Sequence, residues 1–206
     1  MKTLVLLSQK GGSGKTTLAV HCAVAAEESG ELVALADTDP QQSASMWAKA
    51  RTAESPNVVT TSAIDLGRVL SKAREQSRTL TIVDSAPHTA TDAVRIVQFA
   101  DLICIPCRPT AFDIAAIEAT VTLVKANGKR AVFVLSACPS RAPEIDETRS
   151  ILSGHGFPIY PGQITERRSF ARAVATGRAV TEFENTGRAA EEVRQLWVWL
   201  KRELKK

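Results

Sequence analysis

Apolar residues in this chain fall in short runs, and these alternate with longer stretches in which they recur every three or four positions. The short runs, rich in Leu, Val and Ile, cover 3–8, 32–37, 58–61, 80–84, 102–106 and 131–136, with a brief seventh at 158–160. Runs of this length bounded by Gly, Pro or Asp read as buried strands. Helical spacing covers 15–29, 42–50, 65–75, 91–99, 114–126, 145–153, 169–176 and 189–204. Strands alternating with helices predict right-handed βαβ crossovers. The expected fold is therefore α/β: a mostly parallel twisted sheet of about seven strands, flanked by helices on both faces. No repeat, low-complexity tract or linker interrupts the pattern, so 1–206 reads as one domain. The most loop-like stretch, 138–143, is too short to be a boundary.

Composition narrows the picture a little. Hydrophobic residues make up 44% but aromatics only 5%, so small aliphatics fill the core, as they do where helices pack on a parallel sheet. No apolar run reaches the roughly 18 residues of a membrane span. Leu4-Val5-Leu6-Leu7 leads straight into a glycine loop without a cleavage-site pattern, so it reads as a first strand and the chain is expected in the cytoplasm. Cys22, Cys104, Cys107 and Cys138 all sit in apolar surroundings and read as reduced, buried thiols. The Cys104-x-x-Cys107 spacing takes the same reading, because Cys104 lies inside an apolar strand. A formal net charge of +4 permits nucleic-acid binding without requiring it.

The chemistry-bearing residues share one edge. Ligands of parallel sheets bind at the carboxyl ends of strands. The glycine loop follows the first run, while Asp37, Asp84 and Pro106 end later ones. The loop Lys10-Gly11-Gly12-Ser13-Gly14-Lys15-Thr16-Thr17 has the parts of a phosphate cradle. Glycines let backbone N–H groups turn inward, and the following helix aims its positive end at the anion. Lys15 suits the β/γ oxygens and the Thr16 hydroxyl suits magnesium. Asp37 and Asp39, two apart at a strand end, point the same way. Paired like charges are costly without a cation, so they imply magnesium or a water to be activated, with a helix-cap role for one of them as the alternative. Asp84, ending an apolar strand, has the Walker B arrangement for a magnesium shell.

The general P-loop pattern places a glycine at position 9, where this chain has Gln9 followed by a second lysine, Lys10. The form K-G-G-x-G-K-T-T resembles the ParA/MinD family of deviant Walker P-loop ATPases, and the resemblance runs the length of the chain. It implies ATP and Mg2+ as cofactors and a homodimer formed on ATP. Gly11, Gly12, Ser13, Gly14, Lys15, Thr16 and Thr17 would cradle the nucleotide. Thr16, Asp37 and Asp84 would serve the metal, Asp37 through water. Lys15 and Asp39 would be catalytic, Asp39 by positioning the hydrolytic water. Lys10 would join them by reaching across the dimer to the other subunit's phosphates. Where the family usually carries Pro-Pro after the Walker B strand, this chain reads Ser85-Ala86-Pro87-His88, and His88 reads as a solvated loop residue. Ile105-Pro106-Cys107-Arg108-Pro109-Thr110, followed by Asp113, resembles the family's P-x-x-P segment. Many members read adenine with an asparagine where this chain has Ser136, so the base is expected on backbone groups around 138–141, Pro139 among them.

The length resembles that of the small plasmid-partition ParA type, which binds nonspecific DNA as an ATP dimer and is released when a ParB-like adaptor stimulates hydrolysis. Arg167, Arg168, Arg172 and Arg178 would form the DNA patch, able to track phosphates without reading bases. An ordinary solvated helix face is the plainer account of them. The expected function is thus a nucleoid-associated partition ATPase. The alternatives are a relative that positions a protein cluster or microcompartment, a MinD-like membrane regulator, and an amidating ligase, for whose substrate domain 206 residues leave little room. The last helix carries Val193, Leu196, Trp197, Leu200 and Leu204 as one stripe, with Trp199, Lys201, Arg202, Lys205 and Lys206 beside it. An interfacial membrane helix would look similar, but as the closing helix of the fold it is expected to pack on the core.

Overall fold

The computed structural model describes residues 1–86 and 90–206. Pro87 and His88, and the expectations attached to them, lie outside the described residues. The strands are β1 (Lys2–Leu6), β2 (Val33–Asp37), β3 (Asn57–Thr60), β4 (Leu80–Asp84), β5 (Leu102–Cys107) and β6 (Ala131–Leu135). The helices are α1 (Lys15–Glu28), α2 (Ser43–Lys49), α3 (Leu66–Glu75), α4 (Ala90–Gln98), α5 (Ala111–Ala126), α6 (Pro143–Ser153), α7 (Arg168–Ala175), α8 (Val180–Phe183) and α9 (Arg188–Lys205).

All strand pairs are parallel, in the order β3-β2-β4-β1-β5-β6. The register sets Leu6 against Asp84 and Asp37 against Asp84, so the ends of β1, β2 and β4 are level. Pro106 is tolerated inside β5 because pairing with β1 stops at Cys104 and leaves the next residues unflanked on that side. Side chains alternate across the sheet. Leu4 and Leu6 enter a core under α1, α2, α7, α8 and α9, whereas Val5 and Leu7 enter a second core under α3, α4, α5 and α6. α1 is buried nearly all round, from Leu18 to Ala26, which its run of alanines permits.

Several expectations change. The sheet has six strands among the described residues, not seven, because 158–160 forms only a bridge between Phe133 and Ile159. One pair of backbone bonds to Phe133 is all that this segment makes along β6. The short α8 carried too few residues for a helical period. The four cysteines are free and buried, as expected. Cys104 and Cys107 belong to opposite cores, so they cannot ligate one ion together. The stripe on α9 is buried, and Trp199 packs at its margin against Tyr160. Among the described residues no helix is long and apolar enough to cross a membrane.

His21 ties α1 to the helices beyond it. Its Nδ1 accepts a hydrogen bond from the Val180 amide at 3.2 Å, and its ring meets Phe170 edge-on at 5.1 Å. Burial drives its pKa down to about 3. The unfolded chain therefore binds a proton below the ordinary histidine value that the folded chain refuses, so stability is lost as pH falls. Between pH 6.5 and 5, folding stability should decline by roughly 1.4 kcal/mol per pH unit from this group. His21→Asn keeps an acceptor for the Val180 amide and should flatten that slope. Urea denaturation across this range measures both.

Candidate nucleotide-binding site

The loop between β1 and α1 is built for an anion. Gly12 and Gly14 have φ of +76° and +96°, which a side chain would resist. α1 begins without a side-chain cap and has no acidic residue in its first turn. Its leading N–H groups are thus left for a ligand from outside the protein. The Ser13 hydroxyl is buried without a hydrogen-bond partner at the same place. Lys15 is almost fully buried, and its ammonium donates to the Lys10 carbonyl at 2.9 Å. Burial lowers its pKa, against the raising effect of the Asp84 and Asp39 carboxylates.

Asp37 and Asp84 are both fully buried, side by side on β2 and β4. They are treated differently. Asp37 Oδ2 accepts from the Ser45 amide at 2.8 Å and the Ser45 hydroxyl at 2.9 Å, and Oδ1 from the Asp39 amide at 3.1 Å. The capping role weighed as the plainer alternative is thus what Asp37 performs here, on α2. A carboxylate has about four acceptor positions, so this leaves room for a water as well. Asp84 is the opposite case. Neither of its oxygens has a hydrogen bond of normal geometry, although the Thr16 hydroxyl is close enough to favour the ionised form. Burial, with Asp37 and Asp39 adding to it, pushes the Asp84 pKa up to about 7. A buried carboxylate with both oxygens orphaned, beside a threonine hydroxyl and facing an open phosphate cradle, fits magnesium. That ion is typically held by one or two protein ligands plus substrate phosphates. Among the described residues there is no cluster of three or more His, Cys, Asp or Glu that could hold a metal alone. Asp39 is partly exposed at the rim, its Oδ1 accepting from the Gln41 amide at 2.8 Å.

The second lysine does not point freely outward. Lys10 Nζ donates to Asp113 Oδ2 at 2.5 Å, and the Thr110 hydroxyl donates to the same oxygen at 2.5 Å. Asp113 was legible only as part of a resemblance, because nothing in local spacing links it to a lysine 103 residues away.

A cleft of about 280 Å³ opens beside Gly14 and Thr17. Its walls include Leu18, Ala137, Ile164, Phe170 and Val174, an apolar slot next to the phosphate cradle where a base fits. Pro139 is not in its lining, which takes in Ser136 and Ala137 just after β6 and goes no further along that loop. Ser136 donates its hydroxyl to the Ser13 carbonyl at 2.7 Å and braces the loop. Ile164 and Phe170 went unrecognised because an apolar residue lining a slot has the same pattern as one filling a core.

The four arginines do not form a uniform patch. Arg168, Arg172 and Arg178 are exposed, with the Arg172 guanidinium 5.4 Å over the Phe183 ring. Arg167 instead pairs with Glu192 at 2.8 Å, and Glu192 also holds the Thr165 amide and hydroxyl. Arg167 lines the apolar cleft and is half-buried.

Comparison with known proteins points to a nucleotide-binding family. A sequence profile for the CobQ/CobB/MinD/ParA nucleotide binding domain, CbiA, matches residues 4–180. A maintenance of carboxysome distribution protein A from Gloeobacter kilaueensis is 30% identical over 214 residues, spanning 95% of each chain. A protein ParA from Rhizobium radiobacter is 28% identical over 183 residues, spanning 83% of this chain and 81% of its own. The solved ATP complex of a substituted McdA from Cyanothece covers 100% of this chain and 96% of its own with a TM-score of 0.81; at 17% identity the likeness is one of fold.

The unequal treatment of the two aspartates has a measurable consequence. Above pH 7 Asp84 is ionised and buried, with the nearby Thr16 hydroxyl and Lys15 charge giving incomplete relief. Asp84→Asn should therefore raise the stability of the nucleotide-free protein at pH 8, by up to about 4 kcal/mol from the pKa displacement. The same change should remove the magnesium dependence of nucleotide binding. Thermal denaturation without ligand and calorimetry with and without Mg2+ test the two halves. A destabilised Asp84→Asn protein would show that the carboxylate has a structural partner.

Proposed function

The chain belongs to the CobQ/CobB/MinD/ParA nucleotide-binding family, and from that premise we propose that it is a Mg·ATP-dependent ATPase of the ParA type that positions a large cargo over DNA. The observation that carries the reading is the meeting of Lys10, Lys15, Asp37, Asp39 and Asp84 at one sheet edge, around an uncapped helix start. Lys15 and the amides of Gly12 to Thr17 bind the triphosphate. Thr16 and Asp84 hold the magnesium, which screens charge on the phosphates, and Asp37 supports it through water. Asp39, at the rim, orients the water that attacks.

Lys10 is the surplus cation. Two triphosphates facing each other across an interface need more positive charge than one lysine each supplies. In the free subunit Asp113 keeps Lys10, so ATP-driven dimerisation exchanges an internal ion pair for one to the partner's phosphates. Arg168, Arg172 and Arg178 give each subunit a small basic surface. Two such surfaces in a dimer bind DNA far better than one, through effective concentration. An adaptor protein of the ParB kind, by stimulating hydrolysis, ends the bound state.

A protein body is favoured as cargo over a plasmid. The carboxysome-distribution relative is 30% identical and matches nearly end to end, while the ParA relative matches a smaller share. A MinD-like membrane role is disfavoured because the apolar stripe of α9 is spent on the core. Light scattering and DNA retardation, with ATP and with ADP, test the reading. Dimers that form only with ATP and retain DNA in a salt-sensitive way support it. Binding to anionic liposomes without binding to DNA would overturn it.

Three substitutions separate the steps. Asp39→Ala should keep ATP affinity and lower kcat by roughly 10²- to 10⁴-fold, the usual range for a lost general base or water-positioning group, so that ATP dimers persist. Turnover assays and sizing check this. Lys10→Ala should bind ATP and remain monomeric, whereas Asp113→Asn should release Lys10 and lower the ATP concentration for dimerisation a few-fold. Identical dimerisation curves for Asp113→Asn and the unsubstituted protein would remove the ion-pair exchange.

A further inference from the structure

α2 is fastened at both ends to functional elements. At its start, Gln42 offers no side-chain cap, and the cap is supplied by the Asp37 carboxylate through the Ser45 amide and hydroxyl. The Ser45 and Thr60 hydroxyls share a further hydrogen bond of 2.7 Å. At its far end, Trp47 Nε1 donates to the Arg178 carbonyl at 3.1 Å. Arg51, just beyond the helix, donates to the Gly177 carbonyl at 2.9 Å and grips Glu182 with two bonds of 2.7 and 2.6 Å. The Arg51 guanidinium lies 5.0 Å over the Trp47 ring, so the two anchors support each other.

There is no slack in this joint. Gly177 has φ of +67°, and a Cβ there would come within 2.4 Å of the Ala50 and Arg51 backbone. Ala44, Ser45 and Trp47 are buried along the helix, which spans two turns, or roughly 10 Å. α8 is separately pinned to α1 by the bond from the Val180 amide to His21. Between the exposed Arg172 and that pin lies the turn 176–179, which carries Arg178 and is held by α2. A packed element of this kind moves as a body or not at all.

We propose that α2 is a strut through which magnesium and nucleotide at Asp37 set the position of the turn that carries Arg178. Any change in what Asp37 binds acts on the first turn of α2, and the long-range polar fastenings of its far end run to 177, 178 and 182, beside a local bond of 2.6 Å from Arg51 Nε to the Ser55 carbonyl. The effect is reciprocal: an anion on the arginine surface alters affinity for Mg·ATP by the same factor. Glu182 adds a chemical side to the geometry. It lies close enough to Arg178 to feel its charge, yet Arg51 and the Ala179 amide occupy its oxygens. The strut therefore also holds a carboxylate in place near Arg178 while Arg51 occupies its oxygens. The consequence for DNA rests on the proposed DNA-binding reading of Arg168, Arg172 and Arg178; the strut itself does not.

The test uses the full chain with Trp47→Phe, which keeps the ring and loses the donor, and Arg51→Lys, which keeps the charge and loses the fork. Hydrogen exchange of 176–183 is followed with and without Mg·ATP, beside ATP affinity, dimerisation and DNA retention. In the unsubstituted protein Mg·ATP should alter exchange at 176–183. In the variants ATP affinity and dimerisation should stay within about two-fold, the exchange response should vanish, and the ATP-dependent gain in DNA retention should fall several-fold. Unaltered exchange at 176–183 in the unsubstituted protein overturns the proposal. So does a response in both single variants equal to that of the unsubstituted protein. If exchange responds and is lost in the variants but no form retains DNA, the strut stands and the DNA reading falls. Should one substitution prevent folding, the other decides alone, since each removes a different fastening.

Discussion

Two buried carboxylates on adjacent parallel strands are an electrostatic problem, and much of this structure follows from how it is met. Asp37 and Asp84 face each other at the ends of β2 and β4 with no exposure. An ionised carboxylate inside a protein needs hydrogen bonds or a cation. Asp37 receives hydrogen bonds, and these begin α2. Asp84 receives none of normal geometry and is left with Lys15 and Thr16 as its nearby relief. The site is therefore asymmetric before any ligand arrives. One carboxylate is structural and engaged, the other is desolvated and waiting for a cation. Relief of that desolvated charge would add to the binding of a metal–nucleotide pair at this site.

The two lysines divide along the same line. Lys15 is buried in the cradle, and its pKa is lowered by the burial, so it suits a fixed role on one nucleotide. Lys10 retains a third of its side-chain exposure, while its partner Asp113 is nearly buried. A pair so placed is held tightly enough to be ordered and loosely enough to be exchanged, since ion pairs with an exposed member contribute little net stability. A bare glycine loop would orient phosphates equally well. What the extra lysine adds is a charge with an alternative destination.

The order of strands and helices was legible because burial writes period 2 and period 3.6 into the sequence, and the site was legible because phosphate chemistry restricts residue types at fixed spacing. Gly12 and Gly14 occupy the left-handed conformations that the loop pattern anticipates. The failures share one cause: long-range pairing has no local signature. Nothing near 158–160 shows that it makes only a bridge to β6. Nothing near Arg167 shows that Glu192 will claim it, and nothing near Asp37 shows that Ser45 will be its partner. Ser136 shows the same difficulty. Its position matched a base reader, but its hydroxyl donates to the Ser13 carbonyl at 2.7 Å, a long-range pairing without local signature.

Charge must be followed through its pairings before it says anything about partners. A net charge of +4 locates nothing. Arg51 spends its guanidinium on Glu182, Arg167 on Glu192, and Arg130 on the carbonyl of Glu203. Arg168, Arg172 and Arg178 are exposed and grouped around one short helix and the turn after it. Three cations on one subunit make a weak polyanion surface with a shallow salt dependence; six on a dimer make one that is both tighter and steeper, because the counterions released add. A surface of this size is useful to a switch for that reason. On the proposed reading it would be too weak to hold DNA alone, so that occupancy would follow the dimer, and the dimer the nucleotide. A larger patch would bind in every state and could carry no signal.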